Sequence, residues 1–169
     1  SEYRSNEYVD DSSVLNEAMC LMACQGHPNI VGFRGLFFDC LSTTVHGSPS
    51  WILLMDLYPQ GSLYDDLERR GLERHGFKYE EDEALNVCHG VLSGLCHIHK
   101  QGIIHRDVKA ENILRASNGC VVLADFGVAV HMSNRRGIRS RVGTPGHIAP
   151  EILMRLGCVP QSDVFSCGV

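Results

Sequence analysis

The sequence predicts an α+β fold, and three observations carry that reading. Glu80-Glu81-Asp82-Glu83 opens a helix along which Leu85, Cys88, Leu92 and Leu95 recur at steps of three and four. Asn118-Gly119 stands between the β-like runs Ile113-Leu114-Arg115 and Val121-Val122-Leu123, a strong short-range signal for a hairpin. Two further β-like runs, residues 30–38 and 51–57, lie upstream of both.

In chain order, Ser12 and Ser13 are placed to cap a first helix with Val14, Leu15, Ala18, Leu21 and Met22 on its apolar side. Gly26 and Pro28 stop it. The two β-like runs follow, separated by residues 40–50, which are polar with Gly and Pro and predict a loop. Pro59-Gln60-Gly61 breaks the chain, and Ser62 caps a short helix through Leu67. Residues 69–76, charged and containing glycine, predict a solvated connection. The acidic turn at Glu80 suits the positive end of the next helix's dipole, and Lys100 and Gly102 close that helix.

Composition narrows the class. The chain has 169 residues, 44% hydrophobic and 21% charged, with a net charge of −5 and no long basic run. Binding to a nucleic-acid backbone is disfavoured, and no apolar run is long enough to span a bilayer. Eight cysteines occur with no Cys-x-x-Cys pair, several of them inside apolar periodic segments where a thiol packs as a small hydrophobe. A zinc site from Cys20, Cys24 and His27 is the sharper alternative. It lacks a fourth ligand at suitable spacing. Reduced thiols suit an intracellular, cytoplasmic compartment.

The hairpin carries the first chemical expectation. A two-residue Asn118-Gly119 turn pairs residues whose numbers sum to a constant, which sets Asn112 opposite Asp125 with Cα atoms roughly 4.5–5.5 Å apart. An amide oxygen and a carboxylate at that spacing suit Mg²⁺, and they equally suit a polar hairpin mouth that holds no ion.

The neighbouring residues carry a resemblance. His105-Arg106-Asp107-Val108-Lys109-Ala110-Glu111-Asn112 resembles the catalytic loop of the protein kinases, and Asp125-Phe126-Gly127 their metal-binding triplet. Gly143-Thr144-Pro145-Gly146-His147-Ile148-Ala149-Pro150-Glu151 resembles the end of their activation segment. Glu17, upstream of His27-Pro28-Asn29, resembles the glutamate of the family's C-helix, and Met55-Asp56-Leu57-Tyr58 the gatekeeper and hinge that meet adenine. Asp163 resembles the buried aspartate that braces the catalytic loop.

The resemblance implies a bilobal kinase fold truncated at both ends, with residues 1–57 a partial small lobe and 58–169 a partial large lobe. It implies transfer of the γ-phosphate of ATP to a protein hydroxyl. Asp107 would receive and orient the hydroxyl, Lys109 would stabilise charge on the phosphoryl group, and Asn112 and Asp125 would hold Mg²⁺. Met55, Asp56, Tyr58 and Leu114 would border the nucleotide, with Leu114 its floor. Lys109 and Thr144 match the Ser/Thr branch. Leu21, Phe33, His105 and Phe126 would form a hydrophobic column.

Ser140 is the expected site of an activating phosphate, placed by an upstream kinase and paired with Arg106. Ser133 is a second candidate. The partner implied is a protein substrate.

The chain departs from the family's pattern at several points. Its first glycine is Gly26 and its first lysine Lys78, so neither a Gly-rich loop nor a strand lysine to pair with Glu17 precedes the hinge. Glu151 lacks the later arginine it pairs with in the family. His147 stands where Tyr is usual and Ala110 where Pro is commonest. These departures predict weak Mg-ATP binding by these residues alone. They leave a kinase-shaped binding module, a pseudokinase, as the alternative function.

Overall fold

The computed structural model describes residues 11–39, 50–74 and 79–169. The predicted loop between the first two strands lies outside them, except for Ser50. Helix α1 spans Asp11–Ala23. Ser12 and Ser13 therefore lie inside its first turn and do not cap it. Its buried face is Ala18, Cys20 and Leu21, continued by Cys24 just past its end, while Leu15 and Met22, assigned to the apolar side, are exposed. The face is rotated toward the cysteines, because small thiols let the helix sit closer to the core than long side chains allow.

The first β-like run divides. Ile30 makes a single parallel bridge to Leu123, and strand β1 begins only at Phe33 and ends at Asp39. It pairs antiparallel with β2, Ser50–Met55. Ser62 caps α2, Leu63–Arg74, as expected: its hydroxyl accepts the Asp65 N–H at 3.1 Å and the Asp65 carboxylate accepts the Ser62 N–H at 2.8 Å. The helix does not end at Leu67 but continues to Arg74, into the stretch read as a connection. Arg70 holds it by pairing with Asp66 at 3.1 Å and with Glu83 at 2.7 Å. Asp66 also receives the Tyr79 hydroxyl at 2.9 Å and Arg115 at 2.5 Å, tying α2 to the later hairpin.

Helix α3, Glu81–Lys100, forms where expected, with another face inward. Gly90, Val91, Gly94, Leu95 and Ile98 are buried, whereas Leu85 is 61% exposed and Cys88 and Leu92 are also exposed. The two glycines decide the orientation. A Cβ on Gly94 would stand 2.8 Å from the Asn29 carbonyl oxygen, and one on Gly90 2.6 Å from the Val121 side chain. Residues 29–31 and strand β5, Val121–Leu123, thus approach the helix backbone closely. Hydrogen bonds from Val31 N to Leu123 O and from Leu123 N to Asn29 O, both 2.9 Å, fix that approach.

The hairpin of β4, Ile113–Arg115, with β5 is present in a different register. Ile113 pairs with Leu123 and Arg115 with Val121. The loop holds three residues, Ser117-Asn118-Gly119, closed by Ala116 N to Cys120 O at 2.9 Å. Gly119 at φ 85° supplies the left-handed residue such a loop needs. The slip of one residue sets Asn112 opposite Ala124, whose N–H it accepts at 2.9 Å, and not opposite Asp125.

Strand β3, Ile103–Ile104, pairs with β6, Val130–His131. Short helix α4, Pro150–Leu153, and α5, Pro160–Cys167, complete the chain. One apolar cluster runs from Leu21 and Val31 through Leu95, Ile98 and Leu123 to Phe126. A second, Ile104, Val130, Ala149, Ile152 and Cys158, seats the segment between β6 and α5.

Candidate active site

The site is built on a strained turn held from below. After β3 the chain passes through Arg106 at φ 72°, a left-handed conformation that costs a non-glycine residue about 1–2 kcal/mol. Asp163 on α5 is 1% exposed, and its carboxylate accepts the N–H groups of His105 at 2.9 Å and Arg106 at 2.8 Å. His99 Nε2 meets it from α3 at 2.8 Å. Hydrogen bonds to a charged acceptor contribute roughly 1.5–3 kcal/mol each, enough to offset the strain.

His105 is wholly buried, which lowers its pKa against the opposing pull of Asp163. Its neutral ring fits one tautomer: Nε2–H donates to Ala124 O at 3.0 Å while Nδ1 accepts the Asp107 N–H at 3.3 Å. The ring meets Phe126 edge-on at 5.0 Å. Leu21 and Phe126 lie in the same core with Phe33 packed against it, where the hydrophobic column was expected.

This turn presents Asp107. Oδ1 accepts the Thr144 N–H at 3.0 Å and the Thr144 hydroxyl at 2.7 Å. Oδ2 accepts Asn112 Nδ2 at 2.9 Å and meets the Lys109 ammonium at 2.8 Å. Burial alone would raise the Asp107 carboxyl, but the bonds from Lys109, Thr144 and Asn112 outweigh it and hold the pKa below the ordinary value. Asp107 in turn raises Lys109. Lys109 also donates to Thr144 Oγ1 at 2.8 Å. Gly143, at φ 115°, makes this closure sterically feasible, since a Cβ there would stand 2.8 Å from the Arg106 carbonyl oxygen.

Asn112 is buried, its amide also donating to Asp107 O at 2.9 Å. Asp125 is exposed and left-handed at φ 60°, with Oδ1 accepting the Gly127 N–H at 3.1 Å. Glu17 stands beside this triplet: a Cβ on Gly127 would lie 3.6 Å from a Glu17 carboxylate oxygen and 3.2 Å from Asp125 Oδ1. Burial raises the Glu17 pKa, the Asp125 charge adds to it, and a hydrogen bond from the Phe126 backbone opposes both.

Among the described residues no group of three or more His, Cys, Asp and Glu side chains is placed to hold a metal, Cys20, Cys24 and His27 included. Burial instead pushes the Cys24 thiol up to about 12.

At the expected hinge, Met55 pairs with Phe33, and Asp56 N donates to Gly32 O at 2.7 Å. The side chains of Asp56 and Tyr58 are engaged, Asp56 with Arg34 at 2.5 Å and the Tyr58 hydroxyl with Gly32 N at 3.3 Å. They line a cleft of about 360 Å³ with residues 30–34. Leu114 sits in the hairpin opposite Val122 and bridges to Ser62.

In the expected activation segment, Ser140 Oγ accepts Arg106 Nη1 at 2.6 Å and Gly137 O accepts it at 2.7 Å. The Glu151 carboxylate accepts the Ser162 hydroxyl at 2.5 Å. His147 carries the one buried side-chain nitrogen or oxygen without a hydrogen-bond partner among the described residues, Nδ1.

Sequence reasoning missed His99, Ser162 and Asn16 as supporting residues, the last through its side-chain amide, which donates to Ala129 O at 2.9 Å. A signal existed for His99, which stands one turn beyond Leu95 on the inward face of α3 and so continues the buried stripe with a polar group.

Comparison with known proteins follows the same lines. The pattern that defines the protein kinase domain matches residues 1–169. Mitogen-activated protein kinase kinase kinase 3 of Arabidopsis thaliana is 35% identical over 157 residues, which cover 91% of this chain and 22% of that protein. Myosin-IIIa of Homo sapiens is 36% identical over 154 residues, 90% of this chain and 9% of that protein. Serine/threonine-protein kinase CLA4 of Candida albicans is 31% identical over 157 residues, 92% of this chain and 15% of that protein. The chain thus spans between 9% and 22% of the length of these relatives.

Proposed function

The chain belongs to the protein kinase domain family, and on that premise we propose that the full-length protein transfers the γ-phosphate of ATP to serine or threonine hydroxyls of a protein substrate. The observation that carries this is the Asp107 carboxylate, held at once by Lys109, Thr144 and Asn112 on a turn fixed by Asp163. A carboxylate that is positioned, charged and reachable is what orientation of an attacking hydroxyl requires.

Asp107 has about four acceptor positions, all of them taken. A substrate hydroxyl must therefore displace a donor. Lys109, on a flexible stem, is the one that moves, and its ammonium then faces the transferring phosphoryl group. Thr144 and Asn112 keep Asp107 oriented while it accepts the hydroxyl proton. A serine/threonine kinase among the relatives supports the choice of acceptor.

Asn112 and Asp125 would supply an amide and a carboxylate oxygen, the hard ligands that suit Mg²⁺, an ion that takes the rest of its shell from phosphates and water. When bound, Mg²⁺ neutralises charge on the ATP phosphates. Leu114, Met55 and the hinge backbone at Asp56 and Tyr58 would border the nucleotide, with residue 57 the proposed border between lobes.

Nucleotide titration of the full-length protein with and without Mg²⁺ tests this site. Mg²⁺ is expected to tighten ATP binding, and Asp125→Ala to weaken Mg²⁺-dependent binding by about tenfold or more. Unchanged Mg²⁺ dependence in Asp125→Ala would remove Asp125 from the metal site.

A further inference from the structure

Two imidazoles stack where the chain between α1 and β1 crosses α3. The rings of His27 and His97 lie 4.7 Å apart and 24° from parallel. His97 Nε2 meets the Cys24 carbonyl at 3.2 Å, a contact that needs a proton on that nitrogen. His27 makes the opposite commitment at Nδ1. That nitrogen accepts the Asn29 N–H at 3.2 Å and so carries no proton, while Nε2 meets the Ser93 hydroxyl at 3.4 Å. Asn29 is the hub of the seam beneath. Its amide donates to Val121 O at 2.8 Å, and its carbonyl accepts Leu123 N at 2.9 Å. A proton on His27 Nδ1 would set two donors face to face and deprive the Asn29 N–H of its acceptor. Among the described residues, none of the groups around His27 favours that proton. Helix α3 contributes His97 and Lys100, and the end of α1 the buried Cys24 thiol. Arg34, Asp56 and Tyr58 line the same cleft as His27, and the Asp56 carboxylate is taken by Arg34 at 2.5 Å. Burial, His97 and Lys100 together lower the His27 pKa.

We propose that His27 is a proton-operated latch, which holds residues 29–31 against α3 and β5 when neutral and releases them when Nδ1 takes a proton from solvent. The direction follows from which state binds the proton better. The closed seam resists it and the opened seam does not. The latch is therefore fully closed above the ordinary histidine value of about 6.5, and opening grows easier as pH falls below it, through the lowered value of the closed state. Strand β5 runs on through Ala124 to Asp125, so the seam adjoins the proposed metal ligand. The latch itself needs no phosphoryl transfer and stands apart from the kinase reading.

The test is amide hydrogen–deuterium exchange of the full-length protein at about pH 7.5 and about pH 5.5, corrected for the intrinsic pH dependence of exchange and read in peptides covering residues 29–31 and 121–123. Acidification is expected to lower protection there about threefold in the wild type. His27→Asn keeps an acceptor near the Nδ1 position and cannot take the proton, so its seam should be equally protected at both pH values. Equal loss in wild type and variant, or no loss in the wild type, overturns the proposal. Should the variant fold poorly, exchange of the His27 ring C2 hydrogen in the wild type, followed by mass spectrometry against pH, reads the titration of this one imidazole. A midpoint below about 6.5 is expected, and a midpoint at or above it contradicts the latch.

Discussion

Replacing Asp107 by asparagine is expected to lower kcat for phosphoryl transfer by about 10³-fold while leaving the fold intact and the KM for ATP nearly unchanged. The amide is the same size, and its oxygen can still accept from Thr144, which now bonds Oδ1 through both N–H and hydroxyl. What it lacks is charge. It cannot hold the Lys109 ammonium, which now sits 2.8 Å from Oδ2, and it cannot take a proton from an incoming hydroxyl. Leu114 and Asp125, proposed to face the nucleotide, make none of Asp107's contacts, so ATP binding should survive. Steady-state kinetics on the full-length protein checks this, and a kcat within tenfold of wild type would deny Asp107 the central role.

The second large effect is on stability. Asp163→Asn is expected to cost about 2–4 kcal/mol, read as a fall in Tm or in the denaturant midpoint. Asp163 accepts from His105 N, Arg106 N and His99 Nε2, and it has no exposed surface on which water could replace a lost partner. An asparagine must turn its NH₂ toward one of those donors, leaving a buried repulsive contact beneath a left-handed arginine. Activity should fall with stability, because the turn that carries Asp107 loses its brace. A change below about 0.5 kcal/mol would mean that the turn is held by other contacts.

Much of this arrangement was legible in the sequence where function depends on consecutive residues. The segment from His105 to Asn112, the triplet from Asp125 to Gly127 and the segment ending at Glu151 each carry their chemistry locally, and the structure brings Asp107, Lys109, Asn112 and Thr144 together. The structure also sets the Ser140 hydroxyl on Arg106, the arginine expected to pair with a phosphate at that serine.

Errors arose where one pattern permits two geometries. Helix α3 has two overlapping apolar stripes, Leu85–Cys88–Leu92 and Val87–Val91–Ile98, and periodicity alone does not choose between them. Gly90 and Gly94 choose, because only there can another backbone come so close. The hairpin turned on a similar ambiguity. Asn118-Gly119 serves a two-residue or a three-residue loop, and the Ala116–Cys120 closure selects the longer one, moving Asn112 from Asp125 to Ala124. The length of α2 depended on the Arg70 pairing with Glu83, thirteen residues away in sequence. Asn16 and Ser162 stayed hidden because their partners lie far along the chain or across it, and no spacing rule relates them.

The measurement that tests the central claim most directly is phosphoamino-acid analysis after the full-length protein is incubated with Mg²⁺, γ-labelled ATP and a protein acceptor. The account predicts label in phosphoserine and phosphothreonine. Nucleotide binding with no label transferred would make the chain a kinase-shaped binding module, and label confined to phosphotyrosine would contradict the serine/threonine assignment.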